Sequence, residues 1–123
     1  MLLRIRSNWA PASETQLRLI DYLSVPYRLE AETAELADGG WIRRLSYPEL
    51  PGCIAESAVV EEALCQLERR RIEIIIAMVG EGRPPPVPRP PLRDCDPAWV
   101  AKTAGVSREL VALIGRDAVA SSH

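Results

Sequence analysis

Histidine is almost absent from this sequence of 123 residues, since the only one is His123 at the last position. A catalytic triad or a histidine metal site therefore lacks its usual proton carrier or ligand. The sequence also contains no C-x-x-C pair and no phosphate-binding G-x-x-x-x-G-K-S/T loop. No cluster of three or four acidic residues follows the strand pattern, as metal-dependent RNase H-like hydrolysis would require. We therefore expect a binding protein and not an enzyme, with no metal, no cofactor and no small-molecule substrate.

Cysteines are few, and long apolar runs are missing. Cys53, Cys65 and Cys95 are odd in number and widely spaced, which is unlike the disulfide framework of a secreted protein. No apolar run approaches the roughly 20 residues that a spanning helix needs, and residues 1–6 contain two arginines but no apolar signal segment. With 47% hydrophobic residues, 26% charged residues and a net charge of −2, we expect one soluble cytoplasmic domain with extensions and no membrane partner.

The first half of the chain predicts a helix followed by strands. Ser13–Gln16 has the pattern of a capping box, and apolar residues at helical spacing follow it until Pro26. From Tyr27 the apolar period changes to two, which predicts a half-buried strand. Asp38-Gly39-Gly40 favours a chain reversal into a second strand, Trp41 to Tyr47. The imperfect alternation of that strand predicts a bulge near Arg43-Arg44.

A shaped turn over residues 47–53 should lead into a third short strand, Cys53 to Ser57, and a helix from about Val59 to Val79. One stripe of this helix is apolar and forms its predicted core face, interrupted only by Arg71, which could keep its stem on the core and its head in water. The stripe contains these residues: Val60, Ala63, Leu64, Leu67, Ile74, Ile75 and Met78.

Three further apolar residues, Ile72, Ile76 and Val79, fall outside the stripe. Either the N-terminal helix covers them, or they form an interface with a subunit or partner. Together with exposed sheet edges they predict a homodimer. The neighbouring run Arg69-Arg70-Arg71 has glutamates on the same helix and is typical of a solvated, internally paired face.

Seven of the eleven prolines fall between Pro84 and Pro97, which predicts a semi-rigid linker and a domain boundary. The expected organisation is therefore an N-terminal extension with a helix over 1–26, a β-β-β-α domain over 27–83, a proline-rich linker over 84–97, and a helical tail over 98–123. The predicted fold class is α+β.

Several segments resemble the HicB family of bacterial antitoxins. The most specific is Glu49-Leu50-Pro51-Gly52-Cys53, preceded by a Gly-Trp strand and followed by Glu-Glu-Ala at the start of a helix. The resemblance covers about residues 22–92 and rests on these segments: Tyr22–Tyr27, Gly39–Trp41, Pro48–Cys53, Glu61–Leu64 and Gly82. It implies a β-β-β-α domain related to a degenerate RNase H-like or partial ferredoxin-like sheet, without catalytic residues. The chain departs from the family pattern at Ser57–Val60, where G-D-T is usual, and at Arg70 and Arg71, and is thus a divergent member.

Residues 100–114 resemble a helix-turn-helix. Ala101, Gly105 and Val106, followed by Val111 and Ile114, have the spacing that two short helices need to cross at a tight turn. Two interpretations remain open: the pair binds DNA, or it is a purely structural hairpin, because the tail is short and its charges are balanced. If the pair binds DNA, the candidate contacts to operator DNA are Lys102, Ser107, Arg108 and Arg116.

Together these observations predict an antitoxin that binds and neutralises a small HicA-like RNA-cleaving toxin and represses its own operon by binding operator DNA. The alternative is a stand-alone structural or regulatory binding module without a toxin.

Overall fold

A computed structural model describes the backbone of residues 17–121 and the side chains of residues 17–119. In chain order the elements are α1 (Leu19–Leu23), β1 (Glu30–Glu35), β2 (Trp41–Ser46), β3 (Ile54–Ser57), α2 (Val60–Gly80), α3 (Pro97–Ala104) and α4 (Arg108–Ser121). The capping box predicted at Ser13–Gln16 lies outside the described residues. Within them, α1 follows Arg18, whose backbone N–H donates to the Asp21 carboxylate at 2.8 Å.

The three strands form one antiparallel sheet in the order β1-β2-β3, and β1 and β2 form the predicted hairpin. The hairpin between β1 and β2 turns at Gly39, where φ is +89°. The N–H of Gly40 donates to the Asp38 carboxylate at 2.9 Å. Positive φ is accessible to glycine without steric cost, so the turn follows from local sequence.

The bulge predicted near Arg43-Arg44 is wrong. Successive residues of β1 and β2 pair without interruption from Glu30 opposite Ser46 onward. The arginines fit regular alternation because each finds polar partners across the strands: Arg43 donates to the Thr33 hydroxyl at 3.0 Å on one face, and Arg44 binds carboxylates on the other.

The prediction that β1 is half-buried is also wrong. Five of its six residues are exposed, and only Ala34 is partly buried. The reason is that α2 packs mainly on β2 and β3, which leaves β1 as an uncovered edge strand.

The long helix α2 begins and ends within one residue of its predicted limits. Ala63, Leu67 and Ile75 of the predicted stripe are buried, whereas Val60 and Leu64 are 41% and 40% exposed.

Of the two alternatives for Ile72, Ile76 and Val79, the structure agrees with cover by the same chain and corrects the oligomer interface. Ile72 is 1% exposed and Ile76 is 9% exposed within the single chain, and Val79 is partly buried. Ile72 and Ile76 belong to the same buried cluster as residues of α1, α3 and α4, and Val79 packs against that cluster, so other parts of the chain cover most of this surface.

The tail is also part of this core. Ala101, Val106 and Ile114 are buried in one cluster with Leu23 of α1 and Leu67 of α2. The predicted boundary between a sheet domain and a separate tail is therefore corrected: the hydrophobic core is continuous across it. In residues 17–121, no helix combines the length and apolar character that a membrane crossing requires.

Candidate functional site

The turn over residues 47–53, which carries the most specific motif of the sequence, closes on itself. The N–H of Leu50 donates to the Tyr47 carbonyl at 2.9 Å, and that of Cys53 to the Leu50 carbonyl at 3.2 Å. Gly52 has φ of +79°, the left-handed conformation that favours glycine. Pro51 and Gly52 are exposed. The backbone pattern of the motif is therefore explained by the shape of the turn.

Two motif side chains anchor this turn in the core. Leu50 is 1% exposed and Cys53 is 3% exposed. The Cys53 thiol lies 3.8 Å from the Leu67 carbonyl, and burial raises its pKa to about 11. A thiol with a raised pKa is little ionised at neutral pH and is a poor nucleophile, so Cys53 acts as a small buried side chain.

Glu49, the remaining motif residue, binds the proline-rich segment. Its carboxylate accepts two hydrogen bonds from the Arg89 guanidinium, at 2.7 and 3.0 Å. It also accepts one from the backbone N–H of Arg28 at 2.8 Å. The hydrogen bonds from Arg89 and then Arg28 lower the pKa of Glu49 to about 2. Glu49 thus joins the turn, the start of β1 and the proline-rich segment.

Residues 84–92, here called the proline strap, make further contacts with the domain. The Tyr27 hydroxyl donates to the Pro86 carbonyl at 2.7 Å, and the N–H of Leu92 donates to the Ser24 carbonyl at 2.8 Å. Pro85 is buried. The prediction of a semi-rigid linker over 84–97 is therefore corrected in one respect: Pro86, Arg89 and Leu92 are hydrogen-bonded to the domain, so this part of the segment lies along the fold.

Replacing Glu49 with Gln should change how stability depends on pH. The folded-state pKa, about 2, lies below the ordinary value of 4.5, so the stabilisation is complete above pH 4.5 and is lost as pH falls towards 2. We expect the wild-type melting temperature to fall more steeply between pH 5 and pH 2.5 than that of Glu49→Gln, measured by circular dichroism. Glu73→Gln is the control, because Glu73 is exposed and unpaired among the described residues. Parallel curves for wild type and Glu49→Gln would contradict a stabilising role for the hydrogen bonds from Arg89 and Arg28 to Glu49.

Arg71 is the centre of a buried polar cluster. Its side chain is 8% exposed; it donates to the Leu23 carbonyl at 2.9 Å and to the Glu68 carboxylate at 3.0 Å. The Tyr47 hydroxyl donates to the same carboxylate at 2.5 Å. The expectation that the head of Arg71 lies in water is wrong, because the last turn of α1 supplies a carbonyl acceptor for it.

A cleft of about 230 Å³ opens beside this cluster, between α1, α2 and residues 92–100. Its phenols are poor acids: burial and the hydrogen bond to Glu68 raise the pKa of Tyr47, and burial raises that of Tyr27 to about 12. The charged groups of the cluster are paired with each other. This arrangement binds α1 to α2 and provides no activated nucleophile or general base.

The edge strand β1 and its turn form the most acidic exposed segment of the sheet. Glu30, Glu32, Glu35 and Asp38 lie within nine residues that contain no lysine or arginine. Leu29 and Leu36, at the ends of β1, are 46% and 44% exposed. Here "acidic edge" means residues 29–38. Glu30 pairs with Arg28 and Glu32 pairs with Arg44, whereas Glu35 and Asp38 make no ion pair with any described residue. An exposed strand edge with unpaired carboxylates is suited to a basic polypeptide.

The segment predicted to be a helix-turn-helix contains two helices, α3 and α4, joined by the three residues 105–107. Gly105 ends α3 with φ of +86°, and Val106 in the turn is 7% exposed. The Ser107 hydroxyl accepts from the N–H of Leu110 at 3.3 Å, so it caps α4. Lys102, Arg108 and Arg116 are exposed. The residues predicted to contact DNA therefore lie on one helical pair, with Ser107 also serving the fold.

Sequence reasoning missed two residues that position these features, Arg89 and Asp117, and it missed the buried partners of Arg71. The Asp117 carboxylate accepts from the N–H of Ile20 at 3.0 Å and so joins α4 to α1. No local pattern marks such long-range partners. Among the described residues, no three His, Cys, Asp or Glu side chains are close enough together to hold a metal ion.

No protein-family model, curated protein or solved structure matches this chain. The fold defines it as a small α+β protein with a three-stranded antiparallel sheet and several helices.

Proposed function

We propose that this protein is a HicB-like antitoxin: it binds a small, basic, HicA-like RNA-cleaving toxin, and its α3–α4 pair binds operator DNA. The observation that carries the proposal is the turn over residues 47–53. The E-L-P-G-C motif sits between β2 and β3, and α2 follows, which is the element order that the resemblance implies. Its glycine adopts positive φ and its leucine and cysteine anchor in the core.

The acidic edge is the surface that we assign to the toxin. Glu35 on this edge is exposed and makes no ion pair with any described residue, so its charge is available to a partner. Opposite charge accelerates encounter and sets the register of two chains, while the strand edge supplies backbone donors and acceptors. A basic toxin fits both properties.

The test begins with the product of the adjoining short reading frame, mixed with the full-length protein in calorimetric titrations and in RNA-cleavage assays. We expect a complex that suppresses cleavage. Glu35→Lys should weaken it by about tenfold, while the matched charge reversal Glu73→Lys on α2 should leave it unchanged.

The outcomes separate the alternatives. If no basic neighbour exists, or if none binds, the antitoxin proposal is wrong and the stand-alone binding module replaces it. If the toxin binds but Glu35→Lys has no effect, the complex stands and the acidic edge is the wrong surface.

A further inference from the structure

Arg69 of α2 lies beside the turn that joins α3 and α4, although the two are far apart in sequence. Arg70, the next residue of α2, is exposed. The Arg69 guanidinium is 3.5 Å from the position that a Cβ atom would occupy at Gly105. One turn earlier on α2, the Cys65 thiol lies 3.6 Å from the Ala104 carbonyl. These contacts place α2 against the end of α3 and the turn that precedes α4.

This placement supplies a third helix to a tail that has only two. DNA-binding helix-turn-helix units are commonly three-helix arrangements in which a further helix supports the pair. Here Ile72 of α2 shares its buried cluster with Ala101 of α3 and Ile114 of α4. The unit that could bind DNA is therefore α2–α3–α4, not the tail alone.

The cations of this unit are not neutralised by neighbouring carboxylates. Arg69, Arg70, Lys102, Arg108 and Arg116 make no ion pair with any residue in the described range 17–119. By contrast, the guanidiniums of the proline strap and of the buried cluster in the cleft are paired. Unpaired cations on one unit are what phosphate binding requires.

Three carboxylates near these cations are used inside the fold, whereas Glu73 on α2 and Glu109 on α4 are exposed and make no ion pair with any residue of the range 17–119. Asp96 accepts from the N–H of Trp99 at the start of α3. Asp117 accepts from the N–H of Ile20. Glu68, the nearest preceding carboxylate on α2, binds Arg71 and Tyr47. The internally paired face expected for the arginine run is thus found at Arg71 but not at Arg69 and Arg70.

We propose that Arg69 and Arg70 contact the phosphates of duplex DNA and extend the operator-binding surface from α4 onto α2. The inference rests on the operator-binding half of the proposed function. In this arrangement Arg108, at the start of α4, reaches base edges, while the α2 arginines position the unit on the backbone without contributing sequence preference.

Fluorescence anisotropy with the full-length protein tests this assignment. The probes are a duplex from upstream of its own reading frame, an unrelated duplex of equal length, and a single-stranded RNA of equal length. Arg69→Ala and Arg70→Ala should each weaken binding to both duplexes by about three- to tenfold, and each should lower the slope of log affinity against log salt by about one. Arg108→Ala should weaken binding to the upstream duplex more than to the unrelated one.

The control is Arg43→Ala, which removes an exposed cation of the sheet that makes no ion pair with the described residues. Its affinities should equal those of the wild type, and thermal melts of every variant should show that the fold is retained. Wild-type binding by Arg69→Ala and Arg70→Ala, with loss in Arg108→Ala, would overturn this inference alone. If the full-length protein binds neither duplex at low salt, both this inference and operator binding by the protein are wrong. Tighter binding to the RNA with the same arginine dependence would replace DNA as the ligand.

Discussion

Replacing Ile114 with alanine is expected to lower the free energy of unfolding by about 2–5 kcal/mol. Ile114 on α4 is 0% exposed and belongs to one buried cluster with Leu67 and Ile75 of α2. Removing its side chain beyond Cβ takes apolar contacts from the core and leaves a cavity, and both effects destabilise the folded state. Urea denaturation followed by circular dichroism measures the loss.

The adjacent residue provides the control. Leu113 is 37% exposed, so Leu113→Ala in the same turn of α4 should cost less than about 1 kcal/mol while changing helix propensity similarly. If Ile114→Ala is no more destabilising than Leu113→Ala, then α4 contributes little to the core. The two-part architecture predicted from the proline-rich segment would then be correct after all.

The order of the strands and the long helix could be predicted from sequence because their signals are local. Alternation of period two indicated two strands, although β1 starts at Glu30 instead of near Tyr27 and is exposed. A helical stripe identified α2 to within one residue at each end. The positive φ of Gly39, Gly52 and Gly105 occurs where turn chemistry calls for glycine. In each case the physical cause lies within a few residues of the feature.

The contacts that join distant segments could not be predicted in this way. A proline-rich segment has the same composition whether it spans solvent or lies along a fold, and only the pairing of Arg89 with Glu49 distinguishes the two. Similarly, the apolar side chains of Ile72 and Ile76 must be buried, but the sequence of α2 alone does not show whether a second copy or the same chain buries them. Both corrections concern the same core, because residues of α3 and α4 share one buried cluster with α2.

The same distinction between local and long-range features applies to the candidate site. The sequence from Glu49 to Cys53 predicts the motif turn, and the spacing of apolar residues predicts the start of α4 near Arg108. The proximity of Arg69 to Gly105 could not be predicted, because it depends on how α2 crosses the end of α3. A surface assembled from several elements becomes visible only when the tertiary structure is known.

Arg71→Ala is expected to lower the free energy of unfolding by about 2–4 kcal/mol. The guanidinium is nearly buried and donates to the Leu23 carbonyl and to Glu68. Its removal leaves the Leu23 carbonyl without this donor and leaves a carboxylate facing Tyr47 without its cation. Glu68 is 29% exposed, so water can solvate part of the remaining charge, and the loss stays below that of a fully buried pair.

Arg70→Ala is the matched control, since Arg70 is exposed and has no ion pair with the described residues; its stability should lie within about 0.5 kcal/mol of the wild type. Arg71→Met separates the two contributions of Arg71, because it keeps an apolar stem of similar length but removes every donor. If hydrogen bonding holds α1 to α2, Arg71→Met should recover only a minor part of the loss in Arg71→Ala. Full recovery by Met would show that Arg71 stabilises the fold through packing of its stem, and the polar cluster would then have no stabilising role.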